Sequence, residues 1–435
     1  MDDMLGVLGI SDVDELFMDI PEDIRIDGLD LPAGMTEQEV ERHVDGLLNG
    51  NRSCRDMPIF LGGGIQPHYV PSAVEHVVAR SEFLTAYTPY QPEFSQGILQ
   101  AMFEYQSIVC ELTGMDVANV SMYDAATALG EAAGMVARST GDGLFLIPEN
   151  LAPAKKSVLQ NYLWSTNLEV REIPLNDGRI DLDAIASLAD RVAGLYLENP
   201  SYYGLIEHRD SAIRTLREES DLMLVMGVDP LLMAVMHPPS SYGADIVVGD
   251  GWFGCPLNYG GVRLGMFACT RDHVRQMPGR VIGATRDSDG KRAFCMTLQT
   301  REQHIRRERA TSNICTNQAL AAVAFAAYAA LHGTTGLQRL AAVNMHRARY
   351  AMDQLADIGF TFPYDDLVFN EFVAVPPIDA RRLNERLLRR GIHGGLPLGN
   401  GPDNALLYGV TEMHTREMID DMVEASAAII GGDDV

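Results

Sequence analysis

The feature that most narrows the fold is a series of short apolar runs at residues 143–147, 168–173, 193–197, 222–228, 245–248 and 263–269. Most are uninterrupted rather than alternating, as in strands covered on both faces, and helical spacing appears between several of them, for example at 155–162 and 182–189. Such repetition predicts an α/β domain with a mostly parallel sheet. Upstream, Ser72-x-x-Glu75 opens a helix and a second is expected over 95–114. Beyond an expected helix at 317–331 the pattern changes. A long helix at 336–358, strands at 369–375 and 405–410, and helices at 380–390 and 412–429 predict a smaller α+β domain. The expected division is an acidic helical arm at 1–59, a large α/β domain at 60–332 and a small domain at 333–435.

Charge separates the arm from the rest. Residues 1–45 hold 14 acids against Arg25 and Arg42, a balance of −12 within a chain of −26. So acidic a chain is not built for nucleic-acid backbones or anionic membranes. The arm carries a helix signature at Ser11, stopped by Pro21, and a capping box Thr36-x-x-Glu39 ahead of Val40, Val44, Leu47 and Leu48. Its apolar stripes need a cover, from its own domain or from a partner. The longest apolar run, within 319–331, is mostly Ala and reads as too short and too weakly apolar for a membrane span. The N-terminus lacks an export signal and the six cysteines form no CxxC pair, so reduced thiols in a cytoplasm are expected.

Several motifs carry two readings each. Gly249-Asp-Gly-Trp-Phe-Gly254 matches a dinucleotide fingerprint, but Cys255-Pro256 follows where a helix should open, so the match reads as coincidence. Residues 121–133 put small and hydroxyl side chains at a helix start, suited either to an anion or to close core packing. Residues 87–95 crowd Tyr87, Thr88, Tyr90, Gln91 and Glu93 together with two prolines, which suits a site wall or a structural loop. Asp229 follows a strand end, where it would hold a pyridinium N–H or cap the turn at Pro230. Residues 271–309 hold ten Arg/Lys against five acids, which reads chiefly as a basic strip paired with the protein's own acids. The sequence contains neither HExxH nor GxSxG.

Taken together, residues 60–64 (FLGGG), 82–93 (EFLTAYTPYQPE), 121–128 (SMYDAATA), 242–250 (YGADIVVGD), 301–307 (REQHIRR) and 311–318 (TSNICTNQ) resemble the glycine cleavage system P-protein family. The likeness is to glycine dehydrogenase (decarboxylating) in its two-subunit form, and to subunit 1 in particular, over nearly the whole chain. It implies a pyridoxal-phosphate (PLP) fold of type I. It also implies a cytoplasmic heterotetramer with a homologous subunit 2 that anchors the cofactor, acting on glycine and passing the aminomethyl group to the lipoylated H-protein. By the same resemblance Tyr87, Thr88, Tyr90 and Gln91 belong to one wall of an interface pocket, and Ser121 and Tyr123 lie near phosphate or substrate. Ser312, Asn313 and Thr316 are further pocket candidates, and Asp229 is a vestige of a cofactor site. The chain departs from the family at Trp252, where Gln is common, and at Val262, where a Phe-Gly-Gly-Pro run is common. A paralogous or catalytically silent assembly subunit, serving a PLP enzyme for another small amine or amino acid, is the alternative.

The lysines bear on this independently. There are three, at 155, 156 and 291. None follows the strand at 245–248, where such enzymes attach the cofactor aldehyde, and each reads from local context as a solvated charge. No Schiff-base lysine is therefore expected in this chain.

Overall fold

The computed structural model describes residues 1–432 except Asp27, Ala189, Asp190, Gly261, Val262, Asp365 and Asn400. The family departure at Val262 and the end of the expected helix at 189 therefore lie outside the described residues. Two compact units are present, Met1–Ser53 and Cys54–Val435.

In the first unit the Thr36 capping box forms as expected: the Glu39 amide donates to Thr36 Oγ1 (3.4 Å) and the Thr36 amide to Glu39 Oε2 (2.8 Å). It opens the helix Glu37–Leu48. The Ser11 signature gives only a short 3-10 turn, Val13–Phe17, because Asp12 rather than Ser11 takes the cap. A helix at Asp2–Leu8 carries little apolar periodicity and was not legible. Val40, Val44, Leu47 and Leu48 remain between 42% and 66% exposed.

The second unit is organised around a seven-stranded sheet: β1 (Val117–Ala118), β2 (Asp142–Pro148), β3 (Asn167–Ile173), β4 (Val192–Asn199), β5 (Met223–Val228), β6 (Ile246–Asp250) and β7 (Gly265–Cys269). Its spatial order is β1-β7-β6-β5-β4-β2-β3. Strands β2 to β6 are parallel, and the β1 and β7 pairings are antiparallel. Alternate residues feed two cores. Leu144, Leu146, Leu195, Leu197, Leu224 and Met226 enter one, and Phe145, Ile147, Tyr196 and Val225 the other. Both faces are covered, which is why the runs are uninterrupted in sequence. The chain reverses its direction across the sheet between β2 and β4, and the carboxyl ends of the strands there form the crevice that α/β folds use for ligands.

Four helices matter for the site: α1 (Gln96–Thr113), α2 (Ala125–Thr140), α3 (Pro153–Leu163) and α4 (Ala319–Asp357). Helix α4 merges two expected helices across a non-helical Gly333 (φ 58°, ψ −179°). Gly333 thus divides the span as the two expected helices require, although taken whole α4 is long and apolar enough to cross a membrane by length and composition. Its apolar face instead packs Val323, Phe325, Tyr328 and Leu337 into the protein core. The C-terminal part carries a three-stranded antiparallel sheet, Glu371–Ala374, Leu406–Gly409 and Leu396–Pro397, under helices Ala380–Arg389 and Arg416–Ile430. Phe60 shares that core, and its amide donates to the His393 carbonyl (2.8 Å).

Candidate functional site

At the carboxyl ends of β2, β4, β5 and β6 lies a cavity of about 430 Å³, lined among others by Lys155, Glu198, Asp229, Trp252, Arg263 and Glu371. Its charged side chains are paired internally, while Ser201 Oγ and Asp250 Oδ1 are buried without a hydrogen-bond partner among the described residues. Asp229 follows β5. Its Oδ1 accepts from the amides of Leu231 and Leu232 (2.8 and 3.1 Å), and its Oδ2 from the Trp252 indole Nε1 (2.9 Å). Burial raises the Asp229 carboxyl above its ordinary range, against the pull of Trp252 and His68. His68 stacks face to face on the Trp252 indole, with centroids 3.5 Å apart and planes 11° apart. Its Nδ1 lies 3.1 Å from both oxygens of Glu412. Burial works to raise Glu412, but His68 outweighs it and holds the carboxyl down at about 2.

Across the cavity, Glu371 Oε1 accepts from the amides of Gly63 (2.5 Å) and Gly64 (3.0 Å) and from Gln66 Nε2 (2.5 Å). Burial nevertheless pushes this carboxyl up to about 7. The Arg263 guanidinium binds Asp250 and the Gly64 carbonyl.

Lys155 corrects an expectation. It is half-buried and bonded to Glu198 (2.5 Å), which also accepts from Tyr196. Helix α3 starts just beyond the carboxyl end of β2, so its first turn faces the crevice rather than solvent. Burial alone would lower the Lys155 ammonium, but Glu198 more than compensates and the group is held protonated. Lys156 pairs with Glu172, and Lys291 is exposed and 3.5 Å from Asp289 in the turn of a hairpin.

A second cluster centres on Arg280, whose importance was not read from the sequence. Its Nη1 donates to Thr88 Oγ1 (3.2 Å) and Thr316 Oγ1 (2.9 Å), and its Nη2 to the Tyr90 hydroxyl (2.9 Å). Thr88 and Thr316 also bond each other (2.5 Å). The guanidinium carbon lies 5.3 Å from the Tyr90 ring centroid, and Glu302 stands 3.6 Å from Nε. Tyr87, Thr88, Ser121, Arg280, Thr316 and Asn317 line one small cavity. Ser121 donates to Asn317. Cys315 is exposed there, its thiol lowered by the Thr316 amide and by Arg280.

The fold thus gathers Tyr87, Thr88, Tyr90, Ser121 and Thr316. Gln91 and Asn313 are exposed and line neither cavity. Ser312 donates to Glu131 (2.8 Å) on α2, and Tyr123 lies near Tyr162, whose phenol is raised by burial first, then by Glu131, Asp124 and Tyr123. The start of α2 satisfies itself: the Asp124 carboxylate accepts from the Thr127 amide (2.7 Å). A signal for Arg280 existed in the basic strip, but nothing local ranks one arginine there above another. Much of that strip is paired internally, through Glu302, Asp289 and backbone carbonyls.

The model of the glycine cleavage system P-protein family matches residues 1–425. The chain belongs to that family. It is 44% identical to a probable glycine dehydrogenase (decarboxylating) subunit 1 of Thermococcus kodakarensis, over 99% of this chain and 96% of the relative. Identity to the protein of the same description from Carboxydothermus hydrogenoformans is 43%, over 99% and 97%. Among solved structures, an inhibitor-bound glycine decarboxylase (P-protein) of the glycine cleavage system superposes with a TM-score of 0.92 at 37% identity, covering 98% of this chain and 97% of that one. A glutamate decarboxylase of Lactobacillus brevis, 14% identical with a TM-score of 0.70 over 94% of this chain and 96% of that one, shares the fold alone. The architecture is that of PLP enzymes of fold type I.

Pyridoxal phosphate does not fit this P-protein chain's own cavity. After β6 the chain reads Gly251-Trp252-Phe253 without a lysine, the Asp229 oxygen facing the cavity is taken by Trp252, and Lys155 is held by Glu198. Asp124 caps the start of α2 at the edge of this cavity.

Proposed function

We propose that this chain is the subunit of a heteromeric glycine decarboxylase that completes the active site without anchoring the cofactor. A homologous subunit 2 holds pyridoxal phosphate on its lysine, and the aminomethyl product leaves on the lipoyl group of the H-protein. The supporting observation is the contrast between the clusters: the charged groups of the Asp229 cavity are paired from within, whereas the Arg280 cluster is preassembled beside exposed tyrosines.

When bound to the partner, the cofactor supplies the electron sink for loss of CO₂. This chain's residues bind and orient. Arg280, fixed by Thr88, Thr316 and Tyr90, presents fixed positive charge and hydroxyls to an anionic group such as the glycine carboxylate. Such preorganisation contributes to rate by positioning, because the donors need not reorganise when substrate arrives. Tyr87 and Tyr90 exclude water once a partner covers them.

Purified alone, the chain is expected to show no glycine-dependent CO₂ exchange and no lysine adduct after borohydride; either one refutes this reading. Co-expression with a lysine-bearing homologue should restore exchange. Tyr90→Phe separates the reading from a silent assembly role, since an unchanged kcat in the assembled complex favours the silent subunit.

A further inference from the structure

We infer that Trp252 is an internal occupant of this chain's vestigial cofactor cradle: its indole fills the ring site, reads Asp229 through its N–H, and closes the cradle to pyridine-type ligands. This goes beyond the proposed function, because it concerns a site which that function leaves unused, and it holds whatever partner the chain has.

Three independent contacts carry the inference. The first is polar. A carboxylate at the end of β5 is placed to accept an N–H from a flat heteroaromatic ring, and the indole Nε1 supplies one at 2.9 Å. The two oxygens divide the work, since Oδ1 accepts from the Leu231 and Leu232 amides and Oδ2 from the indole. The second is stacking. His68 lies flat on the indole at 3.5 Å, where a stacked side chain would cover one face of a bound ring, and Glu412 fixes the imidazole from behind. The third is edge packing. Phe253 stands at 87° to the indole, with centroids 4.9 Å apart, and Tyr328 at 68° and 6.0 Å. Trp252 is only 3% exposed although it lines a cavity of about 430 Å³.

A tryptophan that merely filled core volume would need no acceptor beyond a backbone carbonyl or water, nor a histidine held flat against it by a carboxylate. Here Glu412, His68, Trp252 and Asp229 form one continuous run of contacts, a hydrogen bond at each end and a ring stack between. Replacing the indole with a small side chain should therefore leave a slot of heteroaromatic shape with an acceptor at its edge. That slot should take free indole, and the ring of pyridoxine 5′-phosphate, which lacks the aldehyde and so binds without any lysine.

The test uses the full chain purified alone and calorimetric titration. Wild type should bind neither probe saturably. Trp252→Gly should bind one indole per chain, at least about tenfold tighter than benzofuran, which has the same shape but no N–H. It should also gain binding of pyridoxine 5′-phosphate. Adding Asp229→Asn, which keeps an oxygen for the Leu231 and Leu232 amides but turns the other acceptor into a donor, should abolish the preference for indole. Equal binding of indole and benzofuran overturns the inference, as does wild-type binding of pyridoxine 5′-phosphate equal to that of Trp252→Gly. If the glycine variant fails to fold, the wild-type protein still decides. The chain has two tryptophans, and Trp164 is 89% exposed, so Trp164→Phe leaves one indole N–H to follow by hydrogen exchange. Exchange should be slowed at least about a hundredfold relative to free indole, and Asp229→Asn should restore most of it. Exchange at the rate of an exposed indole overturns the inference.

Discussion

Glu371 sets burial against hydrogen bonding in a way that can be measured. Three N–H donors converge on its Oε1, which favours the carboxylate, yet burial pushes the group from 4.5 up to about 7. A raised acid means that the folded state holds the proton more tightly than the unfolded one. Below about 4.5 the group is protonated in both states and contributes nothing to the pH dependence. Between 4.5 and 7 the folded chain binds the extra proton, so stability falls as pH rises, and above 7 the full cost is present. A shift of this size corresponds to about 3 kcal/mol at most, by the conversion of 1.36 kcal/mol per pH unit.

Glu371→Gln keeps an oxygen for Gly63, Gly64 and Gln66 but never ionises. The variant's stability minus that of wild type should therefore grow by about 2–3 kcal/mol from pH 5 to pH 8. Urea titrations at several pH values and constant ionic strength, followed by circular dichroism, read it directly. A flat difference, or one in which wild type gains on the variant as pH rises, would refute the argument and show that the three donors outweigh burial.

Glu412 should behave in the opposite sense. Its carboxyl is held down at about 2, so its stabilisation is complete above 4.5 and is lost as pH falls toward 2; Glu412→Gln should remove up to about 3 kcal/mol of acid sensitivity in the same titrations. Arg280→Ala, in the assembled complex, should lower kcat/KM for glycine by about 10² or more, with Arg280→Lys recovering only part because a lysine cannot hold Thr88, Thr316 and Tyr90 at once. Gly204→Ala should destabilise by more than about 3 kcal/mol on thermal unfolding, since φ is +84° and a Cβ would lie 2.0 Å from the Glu371 carbonyl oxygen.

Much of the fold could be read because parallel strands buried on both faces leave uninterrupted apolar runs, and residues 143–147 and 222–228 fall on β2 and β5 for that reason. Asp229 was legible for a related reason, as the first polar residue past such a run. The partners of Asp229 were not. Trp252, His68 and Glu412 are 23, 161 and 183 residues from it in sequence, and only the closed fold brings them together. Lys155 was misread because local context sees a polar helix start, whereas the β2 to α3 connection turns that start toward the crevice. Arg280 was hidden among like residues, since a guanidinium becomes singular only through the three hydroxyls around it.

The two clusters share one short segment, and this joins their roles. Ser121 bonds Asn317 in the Arg280 cluster, Met122 pairs with Gly265 beside β7, and Asp124 caps α2 at the edge of the Asp229 cavity. Four residues thus hold both places in register. On one side the charged groups are paired internally, Asp229 with the Trp252 indole among them. On the other, Tyr87, Tyr90 and Phe94 are 75%, 46% and 85% exposed around a fixed guanidinium. Exposed aromatic side chains grouped beside a preorganised cation are the composition that the proposed subunit interface requires. Under the proposed function, the cavity paired from within is the one left unused, and the open aromatic wall is the one that meets chemistry held by another subunit.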